Sequence, residues 1–231
     1  MRGFSHVDTW VFDLDNTLYP ASCRLFDQID VRMGEFVSRL LGTSYEDAKK
    51  YQKTLFHKYG TTLRGLMVDH GVNPDGFLDY VHDIDHTPVA ENRRMDEALH
   101  ALPGRKLIFT NGTVAHAEKV LARLGITHHF GDIFDIVHSD FIPKPERQPY
   151  AKFIAQTGIT PERAAMFEDI ARNLEAPHAL GMTTVLVTSP ENHDAQIVNS
   201  TSGGLDQAHI HHITDDLTGF LEGIVKSRSG S

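Results

Sequence analysis

The chain has 231 residues, 40% hydrophobic and 23% charged, a balance that suits a folded globular protein and excludes a disordered one. Lys and Arg number 22 against 31 Asp and Glu, a net charge of -9 with no Lys/Arg-rich run, which argues against a polymeric nucleic acid as partner. No apolar run approaches the ~18 residues of a membrane span, residues 1–7 do not read as a secretory leader, and Cys23 stands alone, so no internal disulfide forms and a cytoplasmic setting is expected.

The first predicted element is a strand, Thr9–Leu14 (TWVFDL), short, apolar and ending in a polar turn. A long helical stretch follows. Phe26, Ile29, Met33, Phe36, Val37 and Leu40 recur at helical spacing, Ser44 with Asp47 resembles a capping box, and Gly60, Gly71 and Pro74 punctuate further short helices. A connection of that length is no loop, so residues 20–90 are read as a helical cap domain inserted after the first strand. Residues 1–19 and 91–231 form the core.

Within the core, strands are expected at Lys106–Thr110, Ile133–Val137, Ala164–Phe167 and Thr183–Val187, with a weaker one at His209–Ile213. Helices are expected at Thr113–Leu124, Pro149–Thr157, Ile170–Leu180 (with Pro177 as a potential kink) and Asp215–Ile224. The tail from Ser227 is read as frayed. Strands alternating with helices predict a doubly wound parallel α/β sheet.

Polar residues with chemical potential follow four of these strands, at the end where open α/β sheets bind ligands. Asp13 and Asp15 can divide labour, one attacking and the other moving protons. Thr110, Asn111 and Gly112 offer a hydroxyl and backbone N–H groups at a helix start, an anion cradle. Lys144, held between Pro143 and Pro145, can neutralise phosphate charge. Glu168 and Asp169 are adjacent acids whose repulsion a divalent cation relieves, with Asn173 a turn away. Together these residues supply nucleophile, acid/base, cation and metal ligands for phosphoryl transfer.

DLDNT, TNG, the KP lysine and FED resemble the four motifs of the haloacid dehalogenase-like hydrolase superfamily, spread from Asp13 to Asn173. The resemblance implies a Rossmann-like core with a mobile helical cap. It implies Asp13 as nucleophile, Asp15 as general acid/base, Thr110 as phosphoryl ligand and Lys144 as stabilising cation. Mg²⁺ would sit on Asp13, the Asp15 carbonyl, Glu168 and Asp169. Glu168 stands where many relatives have aspartate. Thr17, in the same first motif, is a further substrate-binding candidate.

The stretches DLDNTLYP, HKYGTTLRGLM (His57 to Met67) and FEDIARNL are similar to the pyrimidine 5′-nucleotidase branch, which acts on UMP and CMP. That similarity nominates Tyr59, Thr62 and Arg64 of the cap as readers of base or sugar. The expected partner is a small phosphomonoester, with neither membrane nor polymeric nucleic acid, in a monomer or homodimer. A sugar-phosphate phosphatase or phosphomutase uses the same acids, and a silent binding module is the non-enzymatic alternative. Asp15 speaks against a dehalogenase. No zinc site is expected among the 15 histidines, because neighbours such as His211 and His212 on a strand point to opposite faces.

Overall fold

The computed structural model describes residues 3–189 and 208–229. Six strands form one parallel sheet: β1 (Thr9–Phe12), β2 (Arg105–Phe109), β3 (Asp132–Phe134), β4 (Ala164–Glu168), β5 (Thr183–Val187) and β6 (His212–Thr214), in the order β3-β2-β1-β4-β5-β6. The first strand is therefore central. Thr9 pairs with Arg105 on one side and Ala164 on the other. From β1 the chain runs outward through β2 to β3, then crosses back to β4 on the other side of β1 and runs outward through β5 to β6, which places a crevice at the carboxyl ends of β1 and β4.

Alternation along β1 divides the core. Trp10 and Phe12 face one side and Val11 the other, all fully buried. The first side packs on α5 (Arg93–Ala101), α6 (Val114–Leu124) and α9 (Leu217–Ser229) through residues such as Leu99, Val120, Leu121 and Leu221. The second packs on α7 (Arg147–Thr157) and α8 (Glu175–Ala179) through Tyr150, Phe153 and Ala176. Each large side chain buried this way contributes about 1.5–3 kcal/mol, so the sheet is held from both faces. The Trp10 indole N–H donates to Pro103 O at 2.7 Å. At the turn into β2, Gly104 has φ +104°, and a Cβ there would lie 2.1 Å from Asp8 O, so only glycine fits.

The inserted helical cap comprises α1 (Leu25–Leu41), α2 (Tyr45–Tyr59), α3 (Thr62–His70) and α4 (Pro74–Val81). Ser44 Oγ accepts from Asp47 N at 3.2 Å, starting α2 as its sequence suggests. The apolar stripe of α1 (Ile29, Val37) joins Leu55, Leu66, Phe77 and Val81 in a separate cap core.

Several boundaries differ from expectation for identifiable reasons. β1 and β2 each end before their polar turn, at Phe12 and Phe109. β3 stops at Phe134 because the Asp135 carboxylate turns the chain, accepting from Val137 N at 3.1 Å and His138 N at 2.9 Å. β6 begins at His212 rather than His209, since the Thr184 hydroxyl, not a ladder, takes His209 O at 2.6 Å. The helix expected over Ile170–Leu180 is a 3₁₀ turn, Ala171–Leu174, followed by α8. Pro177 lies in the first turn of α8, where an N–H has no helical partner, so it causes no kink. The last helix starts later, at Leu217, after Asp216 accepts from Gly219 N at 2.9 Å. It also runs past Ser227, where a frayed tail was expected, and Arg228 donates to Phe4 O and Val7 O at 2.6 and 2.8 Å. Helix α5 was not anticipated, although Asn92 caps it and Met95, Ala98 and Leu99 repeat at helical spacing.

Candidate active site

Asp13 is the first residue beyond β1, its N–H still paired with Phe167 O at 2.9 Å. Its carboxylate is buried. Oδ1 meets Lys144 Nζ at 2.7 Å and Oδ2 accepts from the Thr17 hydroxyl at 3.1 Å. Lys144 is 1% exposed and also donates to Glu168 Oε1 at 2.7 Å and Phe109 O at 2.9 Å. Its loop is tied down, for Lys144 N donates to Asn111 Oδ1 at 2.9 Å. Glu168 closes β4 and receives Ile170 N at 2.8 Å and Asn173 Nδ2 at 2.6 Å. One ammonium thus bridges two strand ends.

Burial pushes the Asp13 carboxyl up to about 7; the Lys144 charge opposes this and the Glu168 charge adds to it. Burial disfavours the Lys144 ammonium, but Asp13 and Glu168 outweigh it and hold its pKa above the ordinary lysine value. Asp13, Glu168 and Asp169, all buried, each bring a carboxylate oxygen within 4.8 Å of the others. Lys144 is the cation that the hydrogen bonds place on two of these acids. Three converging hard oxygens in a negatively charged pocket fit a divalent ion such as Mg²⁺.

Asp15 follows on the turn after Asp13. Its Oδ1 accepts from the Tyr19 hydroxyl at 2.5 Å and lies 2.8 Å from His116 Nε2. Burial raises the Asp15 carboxyl, but His116, the Tyr19 hydroxyl and His82 together hold it below the usual carboxylate range. The same burial, with Asp15 beside it, raises Tyr19 well above an ordinary phenol.

Part of the TNG turn is engaged by protein groups. Thr110 Oγ1 accepts from Gly112 N at 2.9 Å, and Asn111 positions the lysine loop. At the start of α6, Val114 N goes to Asp135 Oδ2 at 2.9 Å and His116 N to Thr113 Oγ1 at 3.2 Å. The N–H groups of Gly112, Val114 and His116 thus already have protein acceptors.

The cap candidates sit at the α2–α3 junction. Gly60 there, with φ +86°, lies so close to the lysine loop that a Cβ would be 3.1 Å from Pro143 Cγ and 3.5 Å from Lys144 O. Arg172 of the core stacks over Phe56 at 4.6 Å and reaches Gly60 O at 3.4 Å. Tyr59 directs its hydroxyl to Asp69 within the cap, Thr62 is buried, and Arg64 is half-buried, its N–H donating to Thr61 Oγ1 at 3.1 Å.

Sequence reasoning missed His116, His82 and His86 beside Asp15, and Asp135 beneath α6. Tyr19 was visible in DLDNTLY, four residues after Asp15, but was given no part. The histidine pair at 128–129 lies on a 3₁₀ turn, and both Nε2 atoms meet Asp96 Oδ1, at 3.1 and 2.7 Å. As for membranes, no helix among the described residues is long and apolar enough to cross one.

A doubly wound parallel sheet with an inserted helical cap and a buried acid–lysine–acid centre at the end of its middle strand defines a Rossmann-like hydrolase of the capped kind. Residues 7–181, more than half the chain, match the model of the haloacid dehalogenase-like hydrolase family, and the chain belongs to that family. It is 27% identical over 193 residues to phosphate metabolism protein 8 of Saccharomyces cerevisiae, covering 76% of this chain and 60% of that protein's length. Solved structures share the fold. A HAD phosphatase from Thermococcus onnurineus superposes with TM-score 0.59 at 15% identity, covering 94% of this chain and 98% of that one. The L-2-haloacid dehalogenase of Xanthobacter autotrophicus gives 0.55 at 15%, covering 96% and 99%. A HAD hydrolase from Bacillus subtilis solved with magnesium bound gives 0.56 at 13%, covering 96% and 98%.

Proposed function

We propose that this chain is a Mg²⁺-dependent phosphohydrolase that cleaves small phosphomonoesters through an aspartyl-phosphate on Asp13. The observation that carries the reading is the pairing of Asp13, anchored by Lys144 and Thr17, with a second carboxylate, Asp15, two residues on. An ester dehalogenase has no use for that second acid. The fold shared with dehalogenases therefore does not decide the chemistry.

In the first step an Asp13 oxygen attacks phosphorus as the ester P–O bond breaks, and Asp15, protonated once the negative charge of the substrate's phosphate lies beside it, gives that proton to the leaving oxygen. In the second, Asp15 takes a proton from water, whose oxygen attacks phosphorus and releases phosphate, restoring Asp13. Lys144 compensates the negative charge around the transferring group. Asp13, Glu168, Asp169 and the Asp15 carbonyl would hold Mg²⁺, which when bound offsets the charge of the acids and the phosphoryl oxygens. Thr110, with the Asn111 and Gly112 backbone, would bind the phosphoryl oxygens, Thr17 orients Asp13, and cap closure would exclude water.

Within this class a pyrimidine 5′-nucleotidase acting on UMP or CMP is the favoured activity, and its setting the cytoplasm. The α2–α3 junction rests on the lysine loop at Gly60, and this closeness supports a part for its residues Tyr59, Thr62 and Arg64 in substrate selection. Phosphate release with Mg²⁺ from UMP, CMP, AMP, sugar phosphates and phosphoglycolate tests both levels. A UMP/CMP preference in kcat/KM upholds the nucleotide reading. Preference for a sugar phosphate keeps the Asp13 chemistry and discards the nucleotide. No release from any ester overturns the phosphohydrolase. Unchanged kcat/KM in Arg64→Ala removes that residue from substrate recognition.

A further inference from the structure

His116 is the third residue of α6, and its ring is wholly enclosed. One nitrogen, Nε2, faces Asp15 Oδ1 at 2.8 Å; the other, Nδ1, faces His86 Nε2 at 3.2 Å. His86 Nδ1 in turn lies 3.1 Å from Ile84 O. A carbonyl only accepts, so His86 Nδ1 carries a hydrogen, and a neutral His86 then presents its Nε2 lone pair to the His116 Nδ1–H. His82 stacks on the His116 ring at 4.7 Å and 16°. Both neighbours lie between α4 and α5, on the return connection from the cap.

This arrangement fixes one end of Asp15. Tyr19 and His116 both engage Oδ1. Oδ2 lies toward Gly112, where a Cβ would be 3.6 Å from it, on the side of the TNG segment. We propose that His116 is a positioning residue: it grips Oδ1 of Asp15 so that Oδ2 faces the leaving oxygen, while His86 and His82 fix the imidazole. The role rests on the phosphohydrolase reading above, with Asp15 as acid and base.

Two substrates separate this role from simple packing. An alkyl ester such as UMP needs its leaving oxygen protonated, whereas p-nitrophenolate departs unaided. kcat/KM reports only the steps through leaving-group departure. His116→Leu is expected to lower kcat/KM for UMP about 10²-fold, near the lower end for general acid catalysis, and that for p-nitrophenyl phosphate only a few-fold. With p-nitrophenyl phosphate kcat should still fall, with a burst of p-nitrophenol and a lower KM, because Asp15 also activates the second-step water. His116→Gln, which can place an N–H near the Nε2 position, should recover much of the UMP loss. Equal losses of kcat/KM for both esters, no loss for either, or a folded Gln variant no better than a folded Leu variant overturns the role. Should His116→Leu not fold by circular dichroism, His86→Ala is read instead: a loss confined to UMP supports the role and an equal change overturns it. If wild type cleaves p-nitrophenyl phosphate but not UMP, the alkyl ester it turns over fastest takes the place of UMP. If wild type turns over no ester, the phosphohydrolase reading falls and this role with it.

Discussion

Lys144 and Glu168 meet at 2.7 Å with both side chains about 1% exposed, and the same ammonium holds Asp13 at 2.7 Å. Removing one partner of a buried ion pair costs about 3–5 kcal/mol because it strands the other charge. Here a single lysine serves two carboxylates. Lys144→Met is therefore expected to lower stability by that order in chelator, read as a drop in denaturant midpoint. Added Mg²⁺ should return part of the loss, since a divalent ion can take the lysine's place between the acids. A midpoint equal to wild type in chelator contradicts the charge balance described here.

Asp13→Asn keeps the size of the side chain and an oxygen that can accept from Lys144 or Thr17. It is expected to fold with an unchanged circular dichroism spectrum and to release no phosphate above background. Substantial residual turnover removes Asp13 from the nucleophile's place.

Chelation is the third test. Excess EDTA should abolish phosphate release, and Mg²⁺ should restore it. Because the acids converge without substrate, Mg²⁺ alone should also raise the unfolding temperature, by the equivalent of about 2.7 kcal/mol when its concentration is 100 times Kd. A Tm indifferent to Mg²⁺ argues against the cluster Asp13, Glu168 and Asp169 as its site.

The fourth concerns His82. Burial, with His116 nearby, depresses its pKa from 6.5 to about 4. In the unfolded chain it takes up a proton near 6.5; in the folded protein it resists until about 4. Between those values the unfolded state binds more protons, so stability falls as pH drops below about 6.5. At pH 5 the penalty is about 2 kcal/mol from this residue. His82→Gln should show a shallower loss of stability between pH 7 and pH 5 than wild type. Parallel curves would show that His82 is not buried in its neutral form.

Much of the fold and the outline of the centre were readable before any coordinates. The central strands carry their own apolar runs, and Asp13 and Glu168 sit at the ends of two of them, so local pattern and site coincide there, while Lys144 stands out only by the prolines on either side of it in the loop before α7. What could not be read was side-chain geometry that depends on distant partners. Nothing local marks Asp135 as the cap of α6, because it follows the next strand. His116 looks like one polar position on an amphipathic helix until residues 82 and 86 close over it. Nor does the sequence reveal that, within the TNG turn, Thr110 accepts from Gly112 N and Asp135 from Val114 N. Boundaries erred where side chains replaced ladder bonds, as Thr184 does with His209 O.

The order of the sheet has a consequence for biosynthesis. The ribosome makes the central strand first, yet β1 has no neighbour to pair with until β2 is made, and it stays an edge until β4 arrives. In the interval all four helices of the cap have been translated, with a core of their own to collapse upon. TWVF, wholly buried in the finished protein, therefore waits as a bare apolar strand while its insertion can already fold. A ribosome-stalled nascent chain ending between α4 and β2 would expose that strand, and is the stage at which chaperones would be expected to hold it.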